Sequence, residues 1–125
     1  MTSNNISKLV AIVDDDQSVQ NALKDLMESV GISARCFGSA QEFLASDERD
    51  LTACLIADVR MPGMSGLELQ AKLAAEGSLI PIIFMTAHND SKTKTQAIKA
   101  GAIEFLSKPF DDEVLLEKVR PTLEG

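Results

Sequence analysis

The sequence predicts an α/β fold in which a parallel sheet is packed by helices on both faces. Three observations lead to it. Five short apolar runs alternate with longer stretches whose apolar residues recur every three or four positions, and alternation of this kind builds parallel sheets. The runs carry almost no polar residues, so they suit strands buried on both faces. Gly31, Gly77 and Gly101 close three of the helical stretches, where a helix end favours a residue without Cβ.

Leu9-Val10-Ala11-Ile12-Val13 is the first strand and runs straight into Asp14-Asp15-Asp16. Asp16 is placed to cap a helix from Gln17 to Val30, whose apolar stripe is Val19, Ala22, Leu23, Leu26, Met27 and Val30. A second strand runs near Ile32 to Phe37. Ser39-Ala40-Gln41-Glu42 has the spacing of a capping box, in which a serine and a glutamate three residues on serve each other's amides, and it starts a helix carrying Phe43 and Leu44. The third strand is Ala53 to Ala57, with Asp58 at its carboxyl end before the chain breaks into Met61-Pro62-Gly63-Met64-Ser65-Gly66. Ser65-Gly66-Leu67-Glu68 repeats the capping box and opens a helix to about Glu76. Ile80 to Met85 is the fourth strand, with Pro81 near its start and Thr86-Ala87 at its end. A helix near Ser91 to Ala100 leads to a fifth strand from Ala102 to Leu106, followed by Ser107-Lys108-Pro109. The last helix runs from about Asp111 until Pro121 or just before it, because a proline ring clashes with the turn behind it.

Composition narrows the class of function. The chain has 125 residues, enough for one domain with its own core, and 45% hydrophobic with 25% charged residues is an ordinary globular balance. No apolar run approaches the ~20 residues of a spanning helix, so no contact with a membrane is expected. Residues 1–8 are polar and lack a signal-peptide apolar region, which predicts a flexible N-terminus on a cytoplasmic protein. A net charge of −7 without a basic run argues against direct nucleic-acid binding. Cys36 and Cys54 read as small buried hydrophobes in a reducing compartment.

The strand ends carry the chemistry. In a parallel sheet they share one edge, where loops form a crevice and helix N-termini point their N–H groups at ligands. Asp14 and Asp15 follow the first strand, Asp58 the third, Thr86 the fourth and Lys108 the fifth. This set, with Met61-Pro62-Gly63-Met64-Ser65-Gly66 after Asp58, Ala87 after Thr86 and Pro109-Phe110 after Lys108, resembles the full signature of the response-regulator receiver domain of two-component signal transduction. The match runs over residues 9–125. The resemblance implies a flavodoxin-like (βα)5 three-layer sandwich with strand order 2-1-3-4-5. In that order the second and third strands flank the first, which sets Cys36 and Cys54 about 10 Å apart and beyond disulfide reach.

Two carboxylates about 4 Å apart repel by roughly 4 kcal/mol at a surface-like dielectric, so Asp14, Asp15 and Asp58 need a cation to share one crevice. Oxygen ligands suit Mg2+, with Mn2+ as a substitute. The resemblance implies that Asp15 and Asp58 are direct ligands, the Arg60 carbonyl a third, and Asp14 a water-mediated or outer partner. Asp58 is then the nucleophile that takes a phosphoryl group from the phosphohistidine of a sensor histidine kinase. Lys108 neutralises the transferring oxygens, and the Thr86 hydroxyl donates to one of them. On this reading the chain is no conventional enzyme; it catalyses its own phosphotransfer and autodephosphorylation. Phe105 resembles the family's aromatic switch, with Ala87 beside the switch threonine, and Lys108-Pro109 is expected to be cis. The resemblance makes Arg60 and His88 the positions that tune phosphoryl lifetime. The signal passes to an output domain or target protein, and the wording around Arg60 and His88 resembles the branch with a helix-turn-helix transcription output. A phosphorylation-dependent dimer is expected through the fourth helix, fifth strand and fifth helix, with Lys94, Ile98, Lys99, Val114 and Lys118 on its surface.

Three other classes fit less well. Aspartyl-phosphate hydrolases resemble an Asp-x-Asp pair, and Asp58-Val59-Arg60 lacks the second acid. A flavin-binding module of similar fold wants a Ser/Thr-rich phosphate loop and stacking aromatics, and this chain has no Trp or Tyr. A receiver-like module that only binds partners would lack motif residues, all of which are present.

Overall fold

In a computed structural model that describes residues 8–87 and 91–124, strand and helix alternate through the chain. The elements are β1 (Leu9–Val13), α1 (Gln17–Ser29), β2 (Ala34–Phe37), α2 (Ala40–Leu44), β3 (Thr52–Asp58), α3 (Gly66–Ala75), β4 (Ile82–Thr86), α4 (Ser91–Lys99), β5 (Glu104–Ser107) and α5 (Asp112–Glu124). The strands form one parallel sheet in the order β2-β1-β3-β4-β5, the order the family resemblance implies. Of the N-terminal segment expected to be flexible, all but Lys8 lies outside the described residues.

The strands' period of two divides the core between the sheet's faces. Val10 and Ile12 of β1 pack with Leu23, Met27, Ile56, Ile83, Leu115 and Val119 under α1 and α5. Leu9, Ala11 and Val13 point the other way, to Phe43, Leu55, Ala57, Leu69, Leu73, Phe84 and Phe105 under α2, α3 and α4. Strands buried on both faces explain the unbroken apolar runs.

The caps follow the sequence closely, with one variation. Ser65 and Glu68 form the full reciprocal box. At α2 the Ser39 hydroxyl accepts from the Glu42 amide, but Glu42 Oε1 accepts from Gly38 N at 3.3 Å, one residue upstream of the expected donor. Three helices end alike. Gly31, Gly77 and Gly101 have φ of 81°, 78° and 107°, and the residue after each donates back to the carbonyl five positions earlier. This geometry corrects two strand boundaries. Ile32 and Ala102 are not strand residues: their amides bond Met27 O and Ala97 O, and their side chains pack on the clusters that contain Met27 and Ala97. An apolar residue just past a helix reads as strand in the sequence and is cap in the fold.

Three further departures have physical reasons. A 3-10 turn over Asp47–Leu51 precedes β3; it was not expected, and Ser46 caps it by accepting from Glu48 N. The last helix does not stop at Pro121 but continues to Glu124, because Val119 is buried and Leu123 packs on the same cluster, so the apolar face outlasts the proline. The fourth strand begins at Ile82, since Pro81 has no N–H and joins the sheet only through its carbonyl, which accepts from Leu55 N.

Both cysteines are free. Cys36 lies opposite Ile12 and Cys54 opposite Val10, on either side of β1. Burial pushes the Cys54 thiol up to about 12 from its ordinary 9.0, against a smaller lowering by the Thr122 hydroxyl. A thiol with a raised folded pKa stabilises the fold below its unfolded pKa, and that contribution is lost as pH rises toward the folded value. Between about pH 8 and about pH 11, wild-type stability should therefore fall more steeply than that of Cys54→Ala in parallel denaturant titrations, and equal slopes would contradict the burial argument.

Candidate functional site

Strand order reverses its direction of growth between β1 and β3, and in open α/β sheets such a point leaves a crevice at the carboxyl edge. Val13 pairs with Ala57, so Asp14 and Asp58 leave the sheet side by side. Asp14 is 1% exposed. Its Oδ1 accepts from Asp16 N at 2.9 Å and its Oδ2 from Lys108 Nζ at 3.0 Å. Asp15 is exposed, and Asp16 caps α1 as expected. Asp58 is half-buried; its Oδ1 accepts from Arg60 N at 3.3 Å and its Oδ2 from Lys108 Nζ at 3.4 Å. Carboxylate oxygens of Asp14, Asp15 and Asp58 all lie within 4.8 Å of one another.

Lys108 reaches this crevice from β5. Its backbone N donates to Thr86 O at 2.7 Å, which fastens the ends of β4 and β5 together, and the Lys108-Pro109 bond is cis, as the family resemblance implies. Burial works against the Lys108 ammonium, but its hydrogen bond to Asp14 and the charges of Asp58 and Asp14 outweigh burial and raise its pKa. For Asp58 burial dominates and raises the carboxyl above its ordinary value, opposed by Lys108 and the Arg60 N–H and reinforced by Asp14. One ammonium among three carboxylates leaves a local excess of two negative charges, and all the side-chain donors are hard oxygens. That chemistry fits a divalent hard cation held by Asp14, Asp15 and Asp58.

The other predicted residues are placed as follows. Thr86 ends β4 and is 2% exposed; Ala87 follows it on the surface. The Arg60 side chain is exposed. Phe105 is buried one strand over, level with Phe84, with ring centroids 6.3 Å apart at 52°. His88 lies outside the described residues. A cleft of about 370 Å3 away from these residues, lined by Leu79, Ile80, Pro81 and Ile103 among others, has no titratable side chain in its lining.

A family profile for the response regulator receiver domain matches residues 10–120. The chain belongs to that family. This receiver is 48% identical over 120 residues to the response regulator protein TmoT of Ectopseudomonas mendocina, covering 96% of this chain and 54% of that protein. It is 49% identical over 111 residues to nodulation protein W of Bradyrhizobium diazoefficiens, covering 89% and 49%. Among solved structures, the response regulator StyR superposes with a TM-score of 0.85 at 44% identity, covering 94% of this chain and 60% of that one. The receiver spans about half the length of the curated relatives it matches. No helix among the described residues is long and apolar enough to cross a membrane.

Gly66 is a site residue with no role legible in the sequence beyond its places in the motif after Asp58 and in the capping box. Its amide donates to Val59 O at 2.9 Å, and a Cβ there would lie 2.4 Å from the Asp58 carbonyl oxygen and 2.9 Å from Phe84 Cε1. The helix N-terminus thus presses against the backbone that carries Asp58, at a distance only glycine allows. Gly66→Ala should destabilise the receiver by about 1–3 kcal/mol in denaturant unfolding, as an overpacked core does. An unchanged midpoint would show that this backbone yields freely.

Proposed function

We propose that residues 9–125 act as a phosphorylation-controlled switch whose phosphoacceptor is Asp58. The observation that carries the reading is the convergence of Asp14, Asp15 and Asp58 within 4.8 Å, with Lys108 Nζ 3.4 Å from the Asp58 carboxylate. An Asp58 oxygen attacks phosphorus of a phosphohistidine on a sensor histidine kinase. The bond from phosphorus to the imidazole nitrogen breaks, and that nitrogen keeps the electron pair and takes up a proton from solvent. Lys108 offsets charge on the transferring oxygens, and the Thr86 hydroxyl serves as a donor to one of them. Lysine suits the task as a compact charge on a flexible stem. Autodephosphorylation is the attack of water on the same phosphorus, which releases phosphate and restores the carboxylate.

The residues that would hold Mg2+, or Mn2+ in its place, are Asp15 and Asp58 with the Arg60 carbonyl, and Asp14 through water. When bound, the ion supplies charge neutralisation for the acids and the phosphoryl oxygens. Free Cys36 and Cys54 suit the reducing cytoplasm in which such a kinase would act. The hydrolase alternative gains nothing here, since Arg60 stands where its second acid belongs.

Incubation with acetyl phosphate and Mg2+ should add about 80 Da to the intact mass, one phosphoryl group, and Asp58→Asn should abolish the gain. Chelation of the metal should suppress it as well. Stoichiometric labelling of Asp58→Asn, or undiminished transfer in excess chelator, would overturn the assignment.

Relay is proposed to run through Thr86, Ala87 and Phe105 to the face of α4, β5 and α5, and from there to an output domain, a target protein or a second copy of the receiver. Ile98 and Val114 are partly exposed on this face, and Lys118 pairs with Glu104 at 3.5 Å across α5 and β5. Covalent charge on Asp58 acts at a distance only by biasing a two-state element. A transcription output is the form proposed, in keeping with relatives named as transcriptional regulatory proteins in Thauera aromatica and Azorhizobium caulinodans. Hydrogen exchange with a beryllofluoride mimic should change protection in α4 and β5; changes confined to the Asp58 loop would refute the relay.

A further inference from the structure

We propose that Gln20 is a positioning residue for the acidic cluster, clamping the loop that presents Asp14 and Asp15. The inference rests on the metal-assisted reading of the site given above. Among the described residues only Asp14, Gln20, Gln70 and Thr86 are buried polar or charged side chains. Gln20 is 8% exposed, and its Nε2 donates to the backbone carbonyl of Asp14 at 2.7 Å. Its own backbone N donates to Asp16 O at 3.1 Å. One residue therefore holds the carbonyls on either side of Asp15.

That matters because of how the two acids are otherwise fixed. Among the described residues, no hydrogen bond or ion pair anchors the exposed Asp15 carboxylate, so its backbone is what brings it to the cluster. Asp14 N donates to Phe37 O at 3.1 Å, so with Gln20 on its carbonyl both peptide groups of Asp14 are pinned, one toward β2 and one toward α1. A tetrahedral Cα with its backbone held on both sides fixes the direction of its Cα–Cβ bond, and from there the carboxylate meets Lys108 Nζ at 3.0 Å. Gln20 is itself seated by its carbonyl, which accepts from Cys36 Sγ at 3.5 Å, and by its Oε1, which accepts from Gln17 Nε2 at 3.5 Å. The position requires an uncharged donor of this length. An apolar side chain would leave the Asp14 carbonyl without its partner, and a carboxylate would oppose it while adding charge to a site already in anionic excess. Losing a partner that orients metal ligands from behind typically costs about tenfold or more in metal affinity or activity.

The test compares wild type with Gln20→Met, which keeps length and volume and removes the N–H. Mg2+ is titrated by calorimetry into the unphosphorylated proteins well below their melting temperatures, and Asp58 labelling by acetyl phosphate is followed at saturating Mg2+. The expected result is an Mg2+ Kd raised about tenfold with the saturated labelling rate kept near wild type. A lowered melting temperature with an unchanged Kd would overturn the proposal, because Gln20 would then serve only the fold. Failure of wild type to bind Mg2+ at all would instead remove the metal reading, and the proposal with it. A measurement on wild type alone guards against a variant that does not fold. The Gln20 side-chain amide protons should exchange slowly and shift during Mg2+ titration by nuclear magnetic resonance; exchange at the rate of a free amide, with no shift, would overturn the clamp.

Discussion

Three carboxylates gathered within 4.8 Å, two of them paired with one ammonium, form the constraint on which the rest of this receiver depends. Each acid belongs to a strand end, so the charges converge only if β1 and β3 are neighbours running in the same direction. Lys108 comes from β5, two strand spacings or about 10 Å from β3, and its side chain has to cross the end of β4 to reach Asp58. The bond from Lys108 N to Thr86 O brings the two chain ends together and starts that side chain in the right place. Mutual repulsion of the acids is tolerated because the sheet beneath them is packed on both faces.

The same architecture grades the rigidity of the helices. α1 and α5 bury several large side chains each against the sheet, whereas α4 buries only Ala97. Its tie to α3 is the Gln70 Nε2 donating to Ala97 O at 3.0 Å, a contact to the carbonyl that also receives Ala102 N. An element with few buried contacts is drawn from the low-stability end of the structure, where small changes in free energy shift populations. The proposed relay therefore ends on the helix with the least to lose by moving, next to the Phe84 and Phe105 pair that lies between it and the Asp58 strand.

Legibility in the sequence followed the range of the interaction. Helix starts were readable because a cap is a contact over three residues, and Asp16, Ser39 and Ser65 all cap as their neighbours suggest. Strand interiors were readable because burial on both faces leaves an unbroken apolar signature. Boundaries failed where one residue type serves two purposes: Ile32 and Ala102 are apolar to seal helix ends, and Leu123 carries α5 beyond a proline that alone would stop it. Gln20 was silent in the sequence and Gly66 stood there only as a motif position, because the first acts by a side-chain hydrogen bond to a backbone carbonyl six residues away and the second by how closely one backbone approaches another.

By itself the sequence determined the chemical inventory of the site and its placement at strand ends, since residue type and local periodicity are properties of the chain. It also specified the alternation of strand and helix that makes all those ends share one edge. Tertiary structure decided the distances: that Asp14 is buried and bonded to Lys108 while Asp15 stays exposed, and that Asp58 accepts from a lysine fifty residues away. It decided as well which amide holds the Asp14 carbonyl. Electrostatic and hydrogen-bond energies change over fractions of an ångström, and such separations are set by packing between elements far apart in the chain.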